Sequence, residues 1–194
     1  MTCVVAAIKD NKTYMAADSM GFDAHRRIRR KDQKLFIGKT SFGQKFMIGF
    51  TTSYRMGQLL KYQFVPTGYD VDETSDESLH NYMVSIFVKQ LMDVFKLNGF
   101  GEIKEGDESS GGTFIVAISD KLFIIESDFQ VGQPLANYIS CGSGSDYAHA
   151  SLYTSQRMYP HLPTKDRLQL AIECAIEHSN TVGGEIHYLE LEHI

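Results

Sequence analysis

Apolar residues along this chain keep to short β-type runs at first and switch to a helical period later. Thr2 to Lys9 is a nearly continuous run of β-branched and small apolar residues, and Thr13 to Ala17 is another. Asp10-Asn11-Lys12 between them is a turn signal, so the chain should open on a hairpin. Leu35 to Gly38 and Lys45 to Thr51 repeat the pattern around a turn at Thr40-Ser41-Phe42-Gly43. Ser53 to Phe64 predicts a helix, stopped by Pro66-Thr67-Gly68. After an acidic, turn-rich loop from Tyr69 to Ser78 the period becomes 3.6. Leu79, Met83, Ile86, Phe87, Leu91, Val94 and Phe95 share one face of a long helix that Asn98-Gly99 ends. That face leaves Tyr82, Val84 and Val88 on other sides, and the preceding helix adds Tyr54, Met56 and Tyr62. That is more apolar surface than a fully solvated helix pair needs.

A second polar loop, Gly101 to Gly112, leads to strands at Thr113 to Ile118 and Lys121 to Glu126 around Ser119-Asp120. Tyr138 to Cys141 is a short strand, and Gly142-Ser143-Gly144-Ser145 carries it into a helix from Asp146 to Met158. Pro163-Thr164 starts another helix, with Leu168, Ile172, Ala175 and Ile176 on one face, and Glu185 to Leu191 closes the chain as a strand. The order is strands, two helices, strands, two helices, strand. It lacks the strand-helix alternation of a parallel sheet and fits two antiparallel sheets face to face with helix pairs outside. No linker or low-complexity segment divides residues 1–194, so the chain reads as a single α+β domain.

Composition narrows the functional classes. Hydrophobic content of 43% supports a full core. A net charge of −5 argues against broad binding to nucleic acid or anionic membranes. Apolar runs fall short of the ~20 residues of a spanning helix, and the N-terminus lacks the features of a signal peptide. The three cysteines, Cys3, Cys141 and Cys174, form no CxxC pair and suit a reducing cytoplasm. The seven histidines show no metal-ligand spacing, so no metal and no cofactor is expected.

Four features carry chemistry. Thr2 is small enough at position 2 for Met1 to be removed. A free N-terminal threonine unites a nucleophile with a base, since its α-amine titrates near ~7.7–8.0; alternatively it only starts a strand. Asp18 ends the second strand, level with the start of the first, where it can orient that amine or simply close a turn. Lys34 follows the basic run His25-Arg26-Arg27-Ile28-Arg29-Arg30-Lys31. It can favour a threonine alkoxide, or belong to a solvated basic face or to a phosphate-binding or nucleic-acid patch. The Gly142–Ser145 turn can bind an anion and offer Ser143, or merely cap the helix.

Together, Thr2, Asp18, Lys34 and the Gly-Ser-Gly-Ser turn resemble the proteasome β-subunits and the HslV-type peptidases, a family of N-terminal nucleophile hydrolases. The resemblance extends through Ala16-Ala17-Asp18, Gln33-Lys34-Leu35-Phe36, Gly49-Phe50, Gly112-Thr113 and the closing helix and strand. It implies a four-layer αββα sandwich and a cytoplasmic threonine peptidase acting on peptides or unfolded protein. Thr2 would attack, with Asp18, Lys34 and Ser143 in support. It also implies homo-oligomeric rings of about six or seven subunits and an ATP-dependent unfoldase as a possible partner. The family's Ala-Gly-Gly-type oxyanion loop corresponds here to Thr51-Thr52-Ser53, with the Thr52 amide as donor and Phe50 beside the pocket. The family's Asp-x-x-Ser before a paired glycine is absent, and Ser179 or Asn180 is expected to fill that role ahead of Gly183-Gly184. With Thr2 directly after Met1, no propeptide is expected, as in HslV-type and other bacterial or phage relatives. A non-catalytic subunit of the same build, and an amidase on the same fold, are the competing expectations.

Overall fold

The computed structural model describes residues 2–23, 26–70, 75–100, 102–104, 107–109 and 111–193. Met1, His25, residues 71–74 of the first acidic loop and several residues of the second lie outside them.

The first hairpin is β1 (Val4–Lys9) and β2 (Lys12–Asp18), turned by Asp10 and Asn11 at φ 51° and 57°. Two left-handed residues match the right-handed twist of the strands they join. A two-stranded ribbon follows, β3 (Met20–Asp23) with β4 (Arg26–Arg29), so part of the basic run is a strand whose arginines remain exposed. Then come β5 (Leu35–Lys39), β6 (Lys45–Phe50) and helix α1 (Tyr54–Tyr62). The long helix comprises α2 (Asp76–Tyr82), a π-helical turn over Met83–Phe87, and α3 (Val88–Leu97). A short ribbon, β7 (Glu102–Lys104) with β8 (Asp107–Ser109), occupies the second loop. The strands β9 (Phe114–Ile118) and β10 (Lys121–Ile125) turn at Ser119-Asp120, again both left-handed. Finally come β11 (Val131–Gly132), β12 (Tyr138–Cys141), α4 (Ser145–Met158), α5 (Thr164–His178) and β13 (Ile186–Glu192).

The strands form two antiparallel sheets, ordered β12-β1-β2-β13 and β11-β10-β9-β6-β5. Period-2 alternation assigns each side chain to a layer. Val4, Ala6, Met15 and Ala17 of the first sheet meet Met47, Ile115 and Ala117 of the second in the central core. Cys3, Val5 and Ala7 face the other way, onto Ala148 and Leu152 of α4 and Leu168 and Ile172 of α5. Phe46, Ile48, Phe50, Phe114 and Val116 pack beneath α1 to α3. The result is a four-layer αββα sandwich. Among the described residues no helix is long and apolar enough to cross a membrane.

The π turn corrects the helical face expected from the sequence. Buried Leu79, Met83, Phe87, Leu91 and Phe95 are spaced strictly by four. In an α-helix each such step overshoots a full turn by about 40°. A π turn, bonded i→i+5, holds more residues and removes the accumulated drift. The stripe therefore stays on the core, Tyr82 and Val88 turn inward, and Ile86 turns outward at 38% exposure beside Val84 at 49%. On α1, Met56 is buried and Tyr62 is exposed. The outward apolar surface of this helix pair is smaller than the sequence period implies.

Candidate active site

Strand pairing brings Asp18 to Thr2. Val4 pairs with Ala17, so Asp18 lies across from Cys3, and the Asp18 N–H donates to the Cys3 carbonyl at 3.2 Å. The carboxylate is fully buried. Its Oδ1 accepts from the Cys3 N–H at 3.0 Å and from Lys34 Nζ at 2.8 Å, and its Oδ2 accepts from the Gly183 N–H at 3.1 Å. A buried carboxylate needs this many donors, because desolvation removes water that would otherwise bond it. Lys34 is buried as well, and its second donor goes to the Met20 carbonyl at 2.7 Å. Its backbone is tied to the end of β6, where Phe50 N–H donates to the Lys34 carbonyl at 3.0 Å. Burial pulls the Lys34 ammonium below its ordinary pKa, and Asp18 only partly offsets this. A lysine in that state exchanges a proton more readily than a solvated one.

The Gly-Ser-Gly-Ser turn holds the backbone of Thr2. Thr2 N–H donates to Ser143 Oγ at 3.1 Å, and the Thr2 carbonyl accepts from Gly144 N–H at 3.2 Å. Gly142 lies at φ +97°, and a Cβ there would come within 2.2 Å of the Thr2 carbonyl oxygen. Only glycine fits both demands. Beyond Ser143, the contacts run through hydroxyls. Ser143 Oγ is 2.7 Å from Thr181 Oγ1, which is 3.0 Å from Ser179 Oγ. Ser179 is therefore three contacts from Thr2, while Asn180 is exposed and takes no part in this chain. Thr2 itself is 2% exposed.

The Thr51-Thr52-Ser53 segment is a tight, strained turn. Ser53 N–H donates to the Thr51 carbonyl at 2.7 Å, and Thr52 between them has φ +65°. A bond from i to i+2 around a left-handed centre marks a γ-turn of the rarer hand. A β-branched residue in that region is a genuine conformational outlier. Thr51 anchors the turn by donating both N–H and Oγ1 to the Thr113 carbonyl, at 3.1 and 2.7 Å. On its other side Ser53 caps α1 by accepting from Met56 N–H. Thr52 is exposed, and among the described residues no acceptor engages its N–H. Phe50 is only 5% exposed. Its ring lies against Gly57, where a Cβ would be 2.1 Å from Cζ, and meets Tyr54 edge-on at 6.0 Å. Phe50 thus fixes the turn to α1 from beneath, and Tyr54 carries the Arg30 guanidinium 4.0 Å above its ring.

Thr2 and Ser143 thus belong to one hydrogen-bonded set and Asp18 and Lys34 to another, meeting where Thr2 adjoins Cys3 in the chain, and both include groups that sequence inspection missed. These are Thr181, the Cys3 and Gly183 amides and the Met20 carbonyl. Backbone groups leave no mark in a sequence, and a lone threonine two residues ahead of Gly183 gives no pattern to find.

The layer order and the antiparallel strand order are those of the N-terminal nucleophile hydrolase fold. No family model matches the sequence, and neither does any curated protein. Solved structures do match. The BPH protein of Thiobacillus denitrificans superposes with a TM-score of 0.76 over 98% of both chains, at 18% identity. Eukaryotic HslV from Trypanosoma brucei gives a TM-score of 0.65 over 99% of this chain and 100% of its own, at 17% identity. The helical assembly of the Anbu complex from Pseudomonas aeruginosa gives 0.65 over 99% of this chain and 81% of its own, at 16% identity. At such identities the likeness establishes the fold.

Proposed function

We propose that this protein is a threonine peptidase whose nucleophile is Thr2 Oγ1, exposed as an N-terminal residue by loss of Met1. The observation that carries this is the buried Asp18, which bridges the Cys3 amide to Lys34 Nζ one residue from a threonine already held by Ser143. With Met1 removed, the Thr2 nitrogen becomes an amine. It takes the hydroxyl proton as Oγ1 attacks the scissile carbonyl, while Lys34 favours the developing alkoxide. The Thr52 N–H donates to the oxyanion, a contribution of ~3 kcal/mol where such donors have been removed. The C–N bond breaks, the proton passes to the leaving amine, and water hydrolyses the ester to restore Thr2.

The same reading extends to assembly and partners. Subunits form closed homo-oligomeric rings of about six or seven, with Thr2 facing an enclosed chamber. An ATP-driven unfoldase supplies unfolded chains, and the work is cytoplasmic. Exposed Val84, Ile86, Leu97 and Leu135 are apolar surface available for such contacts.

The decisive experiment pairs intact mass with turnover. The purified protein should lack the mass of Met1 and hydrolyse members of a peptide panel. Thr2→Ala should fold and be inactive, and Thr2→Ser should retain part of the rate. Epoxomicin, bound in a BPH structure from Thiobacillus denitrificans, should raise the melting temperature of the wild type and not of Thr2→Ala. Retained Met1, or a Thr2→Ala variant that cleaves at the wild-type rate, would overturn the proposal.

A further inference from the structure

The hydroxyl chain beyond Thr2 has a direction, and its direction matters to the base. A serine or threonine hydroxyl has one hydrogen to give and two lone pairs to accept with. Thr2 N–H donates to Ser143 Oγ at 3.1 Å. Ser143 can give its own hydrogen to Thr181 Oγ1 at 2.7 Å or to the Thr2 carbonyl at 3.4 Å, and the shorter contact is the stronger. Thr181 in turn has Ser179 Oγ at 3.0 Å to receive its hydrogen. Ser179 Oγ also accepts the Thr181 N–H at 3.4 Å, which holds it close to that hydroxyl.

We propose that Thr181 is a positioning residue: by accepting the Ser143 hydrogen it makes Ser143 face the Thr2 nitrogen with a lone pair. This rests on Thr2 acting as an N-terminal nucleophile, as proposed above. A neutral amine has two N–H bonds and one lone pair. Ser143 takes one N–H, fixing the amine's rotation, and leaves the lone pair for the Thr2 hydroxyl proton. Without Thr181, the Ser143 hydrogen is free to turn onto that lone pair and occupy the base. Ser179 secures the same polarity one step back, because it receives the Thr181 hydrogen that would otherwise point at Ser143.

The relay contains no carboxylate. The ionisable groups on the surrounding elements include the buried Asp18 and Lys34, Cys3, whose thiol is pushed up by burial and by Asp18, Cys141, whose thiol is likewise pushed up by burial, and Cys174 on α5. Further out are Glu126, which accepts from Thr113 Oγ1 at 3.1 Å, exposed Asp146 on α4, and exposed His178 on α5. None of these is a link in the Ser143–Thr181–Ser179 relay.

The test uses the Met1-processed protein. Thr181→Val is nearly isosteric and removes the hydroxyl, both the acceptor for Ser143 and the donor to Ser179. It should lower kcat by ~10-fold or more, part of the 10²–10⁴ that a positioned base supplies, and leave KM within about twofold. The acid limb of its kcat profile should move to lower pH, because a hydrogen bond donated to the amine's lone pair favours the neutral form. Thr181→Ser should return kcat to within about threefold of wild type, and Ser179→Ala should fall between Val and Ser. Titration of the ¹⁵N-labelled Thr2 amine reads the same shift without turnover. A wild type without peptidase activity whose Thr2 amine titrates lower in Thr181→Val would uphold the relay and remove the peptidase reading. Wild-type kcat and amine titration in Thr181→Val, or a Thr181→Ser variant as impaired as Thr181→Val, would overturn the relay.

Discussion

Lys34→Met tests the buried ion pair on which the site is built. Methionine keeps the length and most of the volume of lysine and removes its charge. Asp18 then loses its counter-ion at 0% exposure and keeps the Cys3 and Gly183 amides as its remaining donors. Removing one partner of a buried pair costs about 3–5 kcal/mol, chiefly because the other charge loses its counter-ion. Two surviving amide donors place this case near the lower end, about 3 kcal/mol. For a chain of this size each kcal/mol shifts the midpoint by about 2–4 °C, so Tm should fall by roughly 6–12 °C. Urea denaturation followed by circular dichroism measures the free energy directly. Asp18→Asn with Lys34→Met removes both charges and should be less destabilised than the sum of the two single variants. The pH dependence has a definite sign. Burial lowers the folded-state pKa of Lys34, so between that value and about 10.4 the unfolded chain binds the extra proton. Wild-type stability relative to Lys34→Met should therefore rise with pH across that window. A Lys34→Met variant within 1 kcal/mol of wild type at pH 7, or a difference that falls as pH rises, would refute this account of the pair.

Gly142→Ala should cost several kcal/mol and lower turnover sharply, since its Cβ would collide with the Thr2 carbonyl oxygen in a left-handed backbone; denaturant midpoints and peptide hydrolysis check both effects. Thr52→Gly should raise stability by roughly 1 kcal/mol by relieving the positive φ, whereas Thr52→Pro should abolish turnover by deleting the N–H donor; parallel melting and kinetic assays separate the two. Mass photometry should find a closed oligomer at submicromolar concentration, and a stable monomer would remove the chamber from the proposal.

The periodic elements were legible because side-chain alternation is local. Both two-residue hairpins, the four-layer order and the strand-end position of Asp18 follow from runs of a few residues and their turn signals. The β3–β4 ribbon was not legible, because three arginines in a four-residue strand look like any basic surface until Met20 to Asp23 pairs with them. The inward turn of Tyr82 and Val88 was hidden as well. It depends on a π turn that restores a stripe spaced by four, and a 3.6-residue template cannot anticipate that.

Residue types and their order therefore specify the strands, the helices, and a threonine, aspartate, lysine and serine suited to one reaction. Their convergence is decided in three dimensions. Asp18 and Lys34 meet because separate sheets stack, and the contact is strong because both sheets exclude water from it. Thr181 joins Ser143 only because the end of α5 returns to the turn before α4, bringing residues 38 apart to within 2.7 Å. No local pattern encodes such a contact, since it costs loop entropy that only the packing of the whole domain offsets.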